Sequence, residues 1–351
     1  MPDISEIDKN FKSKNKSEFD DANFYNLKDN LWCVFGLVCD DCFRRMPGDI
    51  ASKVSEGVNV LHTNTAGGRI RFRTNSRYVS ICAVMPDNVV FPHMPFTGVS
   101  GFDMYADGEY VKTFIPPVEW SGGYEDMFEF NDMSEREIMI HFPLYNNVAD
   151  LYIGLQKGSS FGEHTPYRNS QRIVYYGSSI TQGGCVSRPG LAYPSQVALK
   201  LDCDFVNLGF SGSAMGELVM AEYIAGLDPD IFVMDYDHNA PTVEHLEKTH
   251  EIFFRTFRKL KNDVPVIMLT APDVRFHGEE WIKRRDVVYR TYKNAVASGD
   301  KNVYFIDGSS LWGEDDWRSC SVDCIHPNDI GHHRMAQNII PVIQKIWRNV
   351  R

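Results

Sequence analysis

The period of the hydrophobic pattern changes once along this 351-residue chain, near Gln171, and the change limits what each part can become. From roughly Gly57 to Leu155 short alternating runs are broken by turn residues, as half-buried antiparallel strands are. Arg69-Ile70-Arg71-Phe72-Arg73, Tyr78-Val79-Ser80-Ile81-Cys82 and Ile138-Met139-Ile140-His141-Phe142 are examples. Asp107-Gly108, flanked by Phe102 to Tyr105 and Tyr110 to Phe114, is the strongest short-range hairpin signal there is. This half reads as a β-sandwich or jelly roll.

After Gln171, apolar runs of strand length alternate with longer amphipathic stretches, the pattern of βα units on a parallel sheet. The expected strands are Arg172 to Tyr176, Phe205 to Leu208, Ile231 to Asp235, Val264 to Thr270 and Val303 to Asp307. Helices are expected near Tyr193 to Leu201, Gly216 to Leu227, Val243 to Lys261, Trp281 to Ala297 and Asp329 to Trp347. The fold class is therefore α/β: a three-layer αβα, flavodoxin-like domain with five parallel strands, preceded by the β-sandwich. The Gly/Ser-rich segment 157–166 sets the boundary, with residues 1–165 as the accessory β domain and 166–351 as the α/β domain.

In such a sheet, functional groups gather in loops at the carboxyl ends of the strands. The first strand ends in Gly177-Ser178-Ser179, where a serine on a glycine-bounded turn can present its hydroxyl, although a plain tight turn reads the same. The second ends in Gly209-Phe210-Ser211-Gly212, whose glycines allow close backbone approach, again with turn geometry as the simpler account. The third ends in Asp237-His238-Asn239, where an amide could donate to a substrate oxygen or merely cap a helix. Near the carboxyl terminus, Asp323-Cys324-Ile325-His326-Pro327 puts a carboxylate three residues before a histidine in a proline-braced loop. That spacing lets Asp323 hold one ring nitrogen and leaves the other for a serine.

Taken in order, these blocks resemble those of the SGNH/GDSL hydrolases, over roughly the second half of the chain. The terminal Asp-x-x-His-Pro block is the most specific of them. The resemblance implies Ser179 as nucleophile, His326 as general base and Asp323 as its partner. It implies an oxyanion hole formed by the N–H groups of Ser179 and Gly212 and the Asn239 amide, with Gly209 structural and no metal or organic cofactor. Two departures stand out: Ser178 replaces the family's aspartate before the nucleophile, and Asp237-His238-Asn239-Ala240 replaces the common Gly-x-Asn-Asp. An N-terminal β domain marks one subgroup of the family. For that subgroup the expected activity is a serine esterase, first a carbohydrate O-acetylesterase. Thioesterase, lysophospholipase or acyltransferase activity on the same fold, or a non-catalytic carbohydrate-binding protein, are the competing readings.

A net charge of −11 disfavours nucleic acid and anionic membranes as partners, and leaves a small-molecule or oligosaccharide ester as the expected substrate. A homo-oligomer is compatible with the sequence. Lys283-Arg284-Arg285, the longest basic run, reads as a solvated helix face. No apolar run approaches the roughly 18 residues of a membrane span, and the polar start lacks the pattern of a secretory signal. A cytoplasmic location is expected, with the eight cysteines as free thiols. Cys39 and Cys42, although a C-x-x-C pair, have no second pair or histidine to complete a zinc site. His332 and His333 are adjacent on a helix and cannot share a face, while His245 and His250 read as packed or solvated side chains. His238 could line the substrate pocket. Trp312, Trp317 and Phe276 read as loop packing, or alternatively as a sugar-stacking platform.

Overall fold

A computed structural model of the chain describes residues 21–272 and 274–350, so the amino-terminal stretch behind the leader reading lies outside the described residues. The alternating half forms two antiparallel sheets. One runs in the order Ala22–Asn26, Asp150–Gln156, Tyr78–Val84, Gly123–Glu129. The other runs Gly162–Glu163, Arg69–Thr74, Arg136–His141, Phe102–Ala106, Glu109–Phe114, with Val34–Phe35 paired to Arg69–Thr74. Their inward residues, among them Ile70, Phe72, Val79, Ile81, Ile138 and Ile153, close one dry core. At the Asp107-Gly108 turn both residues have positive φ, 53° and 85°, as a two-residue hairpin requires.

The second half builds five parallel strands in the order Cys203–Gly209, Asn169–Gly177, Ile231–Asp235, Val266–Leu269, Val303–Ile306. The first strand in sequence is thus interior, and the order reverses beside it, where the carboxyl ends of α/β sheets open a crevice. Helices on both faces complete three layers. Tyr193–Leu201 and Asp329–Val350 cover one face, Leu218–Gly226, Val243–Leu260 and Glu279–Ala297 the other. Among the described residues, no helix is long and apolar enough to cross a membrane, and all eight cysteines are free.

Three short helices interrupt the half that reads as all-β. Gly48–Val54 and Glu56–Leu61 send Ala51 and Val58 into the core on one face of the parallel sheet, and Phe96–Ser100 lies by the loop after Gly184. They are too short to leave a helical period in the sequence.

Two wholly buried arginines lock the halves together. Arg45 donates to the carbonyls of Gly209 and Leu61 and lies 4.4 Å over the Phe210 ring, and burial pushes its pKa down to about 9. Arg69 pairs with Asp204 and donates to the carbonyls of Gly67 and Phe205. Arg45→Ala would strand two buried carbonyls and open a void, so a loss on the order of 3 kcal/mol is expected. Urea denaturation reads it directly, and an unchanged midpoint would contradict the role.

Candidate functional site

The first parallel strand delivers the chain into a single helical turn, Ser179–Gln182. Ser178 is its N-cap, with Oγ accepting the Ile180 N–H at 3.1 Å. Serine and aspartate both accept this bond, so the departure from the family's aspartate keeps the cap. Gly177 is needed here because a Cβ would run into Thr181 Oγ1 and the Asp235 carbonyl. Gly183 ends the turn at φ 109°.

The loop 320–328 approaches from the other end of the sheet. Its neck is closed by the Ser321–Pro327 bridge and by the Val322 N–H donating to the His326 carbonyl. Asn328 Oδ1 accepts from Ile330 and Gly331, starting the last helix. Within this loop Asp323 Oδ2 lies 2.7 Å from His326 Nδ1, and its Oδ1 accepts the backbone N–H groups of His326 and Ile325 at 2.7 and 3.0 Å. Burial alone would raise the Asp323 pKa. The bonds from the His326 ring and from the two N–H groups outweigh it and hold the carboxyl below its ordinary 3.8. His326 Nε2 lies 2.9 Å from Ser179 Oγ. An ionised Asp323 accepts a hydrogen bond from Nδ1–H and fixes the proton on that nitrogen, so Nε2 keeps its lone pair and Ser179 donates to it.

The Ser179 hydroxyl, the His326 ring and the Asp323 carboxylate therefore form one hydrogen-bonded chain. Gly212, at φ 64°, and Asn239 come to the same end of the sheet but are bonded to each other. Gly212 N–H donates to Asn239 Oδ1 at 3.2 Å, and Asn239 Nδ2 donates to the Phe210 carbonyl at 2.8 Å. One Nδ2 hydrogen remains for another acceptor. Gly209 is structural: a Cβ there would strike Gln182 N. His238 is half-buried beside Asn239, its ring 4.4 Å from that of Trp281.

Several groups that hold this site leave little trace in the sequence. Arg284 is buried, not solvated as the basic run suggested. Its guanidinium donates to the carbonyls of Asp237 and Ala240 and pins the turn that carries His238 and Asn239. Tyr145, from the β half, donates its hydroxyl to the Ser179 carbonyl at 3.1 Å. Asp235 lies beneath the Ser179–Gln182 turn and accepts from Thr181 and Tyr193, both at 2.8 Å. Burial, reinforced by the charge of Asp237, raises its pKa to about 7. Trp312 is fully buried in the core, and half-buried Phe276 packs 4.7 Å from half-buried Trp317. Trp281 packs between the rings of His238 and His277, and His277 shares a hydrogen bond with the Cys324 carbonyl.

His332 is buried as well. It accepts the Tyr193 N–H at Nδ1, and its Nε2 donates to the Gly184 carbonyl, two residues past the Ser179–Gln182 turn. Burial lowers its pKa to about 4 and that of His250 to about 3, so both are neutral in the fold. Unfolded, each would titrate near 6.5. As pH falls below 6.5 the unfolded state takes up protons that the folded state refuses. Stability should therefore fall between about pH 6.5 and 4, by on the order of 3 kcal/mol for His332 alone. Urea midpoints across that range should flatten in His332→Gln, and parallel curves would refute the linkage.

Comparison with known proteins agrees with this architecture. The sequence profile of the GDSL-like lipase/acylhydrolase family matches residues 170–344, and that of the N-terminus of SGNH-hydrolase-type esterases matches residues 23–161. No curated protein matches the chain in sequence. Among solved structures, one described as a GDSL-like lipase from Bacteroides ovatus is 27% identical with a TM-score of 0.83, over 93% of this chain and 98% of that one. A salicylyl-acyltransferase from a tetracycline biosynthetic pathway is 17% identical at 0.73, over 95% and 97%. An acetyl xylan esterase from Butyrivibrio proteoclasticus is 12% identical at 0.57, over 93% and 98%. At those last two identities only the fold is shared. The chain belongs to the GDSL-like lipase/acylhydrolase family, in the group that carries the N-terminal domain of SGNH-type esterases, and is an ester hydrolase.

Proposed function

We propose that Ser179 is the nucleophile, that His326 with Asp323 is its general base, and that the substrate is an O-acetylated carbohydrate. The observation that carries the first part is the unbroken Ser179–His326–Asp323 chain, with contacts of 2.9 and 2.7 Å. Ser179 Oγ attacks the ester carbonyl carbon while His326 Nε2 takes its proton, and Asp323 stabilises the imidazolium that results. The tetrahedral oxyanion is met by the Ser179 N–H, the Gly212 N–H and the spare Asn239 amide hydrogen. For Gly212, this requires its 3.2 Å bond to Asn239 Oδ1 to yield to the arriving oxygen. His326 returns the proton to the leaving alcohol, and water repeats the cycle to free the acid.

The carbohydrate part rests on analogy with the acetyl xylan esterase, which shares both the β half and the hydrolase half, and on Trp281 beside the Asn239 turn as a stacking surface for a sugar ring. The salicylyl-acyltransferase has the higher TM-score, so transfer to an alcohol in place of water is the alternative to measure.

A fluorophosphonate probe should label the wild type and leave Ser179→Ala unlabelled, and kcat on p-nitrophenyl acetate should fall by at least about 10³-fold in that variant. Equal labelling of the two proteins would overturn the nucleophile. Asn239→Asp keeps the acceptor for Gly212 N–H but removes the donor, and should cost about 10²- to 10³-fold in kcat. Across an ester series, acetate and acetylated sugars should exceed longer acyl chains. A long-chain preference, or an alcohol acceptor outcompeting water, would displace the deacetylase reading.

A further inference from the structure

A second imidazole and a thiol sit against the proposed general base. The His93 ring, from the loop after Tyr78–Val84, has its centroid 5.5 Å from that of His326. Cys185, three residues past the Ser179–Gln182 turn, is buried and free, its Sγ 3.5 Å from the His93 carbonyl, on a backbone turned to φ 70°. One ligand atom from each of His93, Cys185 and His326 lies within 4.8 Å of the other two. We propose that these three side chains form an inhibitory site for a thiophilic divalent cation of the Zn²⁺ type.

Two imidazoles and a thiolate are a borderline-soft donor set, which selects Zn²⁺ over Mg²⁺ or Ca²⁺. With metal–nitrogen and metal–sulfur bonds of about 2.0 to 2.3 Å, tetrahedral ligand atoms stand roughly 3.5 Å apart, so the cluster needs about 1 Å of side-chain adjustment. Asp323 already holds His326 Nδ1, the carboxylate–histidine relation that orients an imidazole toward a metal through its other nitrogen. On binding, the Cys185 thiol releases its proton to solvent and a sulfur–metal bond forms. The His326 Nε2 lone pair goes to the cation in place of the Ser179 proton. The fourth position is left to water or to Ser179 Oγ. A cation held there removes the base without unfolding the site. The inhibitory consequence, though not the binding, rests on the reading of Ser179 and His326 given above.

Titration of the whole protein with Co²⁺ should give a thiolate-to-cobalt charge-transfer band, displaced by one equivalent of Zn²⁺. The band should vanish in Cys185→Ser, and Co²⁺ affinity should fall at least about 10-fold in His93→Ala, a ligand lost from the β half. Zn²⁺ should suppress p-nitrophenyl acetate hydrolysis by the wild type, EDTA should restore it, and both variants, each measured against its own metal-free rate, should need at least about 10-fold more Zn²⁺. Absence of the band in the folded wild type, or its persistence in Cys185→Ser together with unchanged affinity in His93→Ala, would overturn the site. If the protein hydrolyses no ester at all, the cobalt spectrum still decides the binding, and only the inhibitory role falls.

Discussion

The side chain of Gln182 is fully buried, and a buried amide must find partners for both ends or destabilise the fold. Its oxygen accepts the Ser211 N–H, and its nitrogen donates to Asn64 Oδ1 and the Leu144 carbonyl. One residue at the end of the nucleophile turn thus binds the second glycine loop and two loops of the β half. The backbone of the same turn is held by Tyr145 at the Ser179 carbonyl and by Asn207 at the Thr181 carbonyl. These bonds fix the backbone from which the Ser179 hydroxyl projects toward His326.

From that anchor the rest of the site follows as a matter of reach. The interior first strand puts Ser179 at the point where strand order reverses, and the neighbouring strand ends supply Gly212 and Asn239. The Asp323–His326 loop must then meet it from the far edge, and it does so as a self-contained unit. Asp323 binds the backbone N–H groups of His326 and Ile325 as well as the ring, so carboxylate and imidazole travel together. A short sequence spacing becomes a rigid geometry because the intervening Cys324 takes φ 70°.

The fold was readable in the sequence through its hydrophobic periods, and the proposed trio of Ser179, His326 and Asp323 has local signatures too: a glycine before a serine pair, an aspartate three before a histidine. The supports were not, because their partners are distant in the chain and carry no period. Arg284 belongs to a basic triplet on an exposed-looking helix, and only tertiary packing turns it inward to the Asp237 and Ala240 carbonyls. Tyr145 lies in an irregular loop of the other half. The helices Gly48–Val54 and Glu56–Leu61 hold too few turns to separate from the strand pattern around them. Trp312 looked like a loop aromatic because its strand ends just before it, yet it fills the core beneath the last helix.

The crossing of Arg45 and Arg69 into the hydrolase half bears on how such a protein can change. Each guanidinium reaches one main-chain carbonyl of the partner half, Gly209 for Arg45 and Phe205 for Arg69, and those acceptors exist whatever the side chain, whereas the Asp204 carboxylate that pairs with Arg69 depends on the residue. Loss of the partner half's acceptors would leave each buried cation with fewer bonds, Leu61 for Arg45 and Gly67 for Arg69. Replacing one half must therefore preserve these acceptors, while other positions along the seam are free to change.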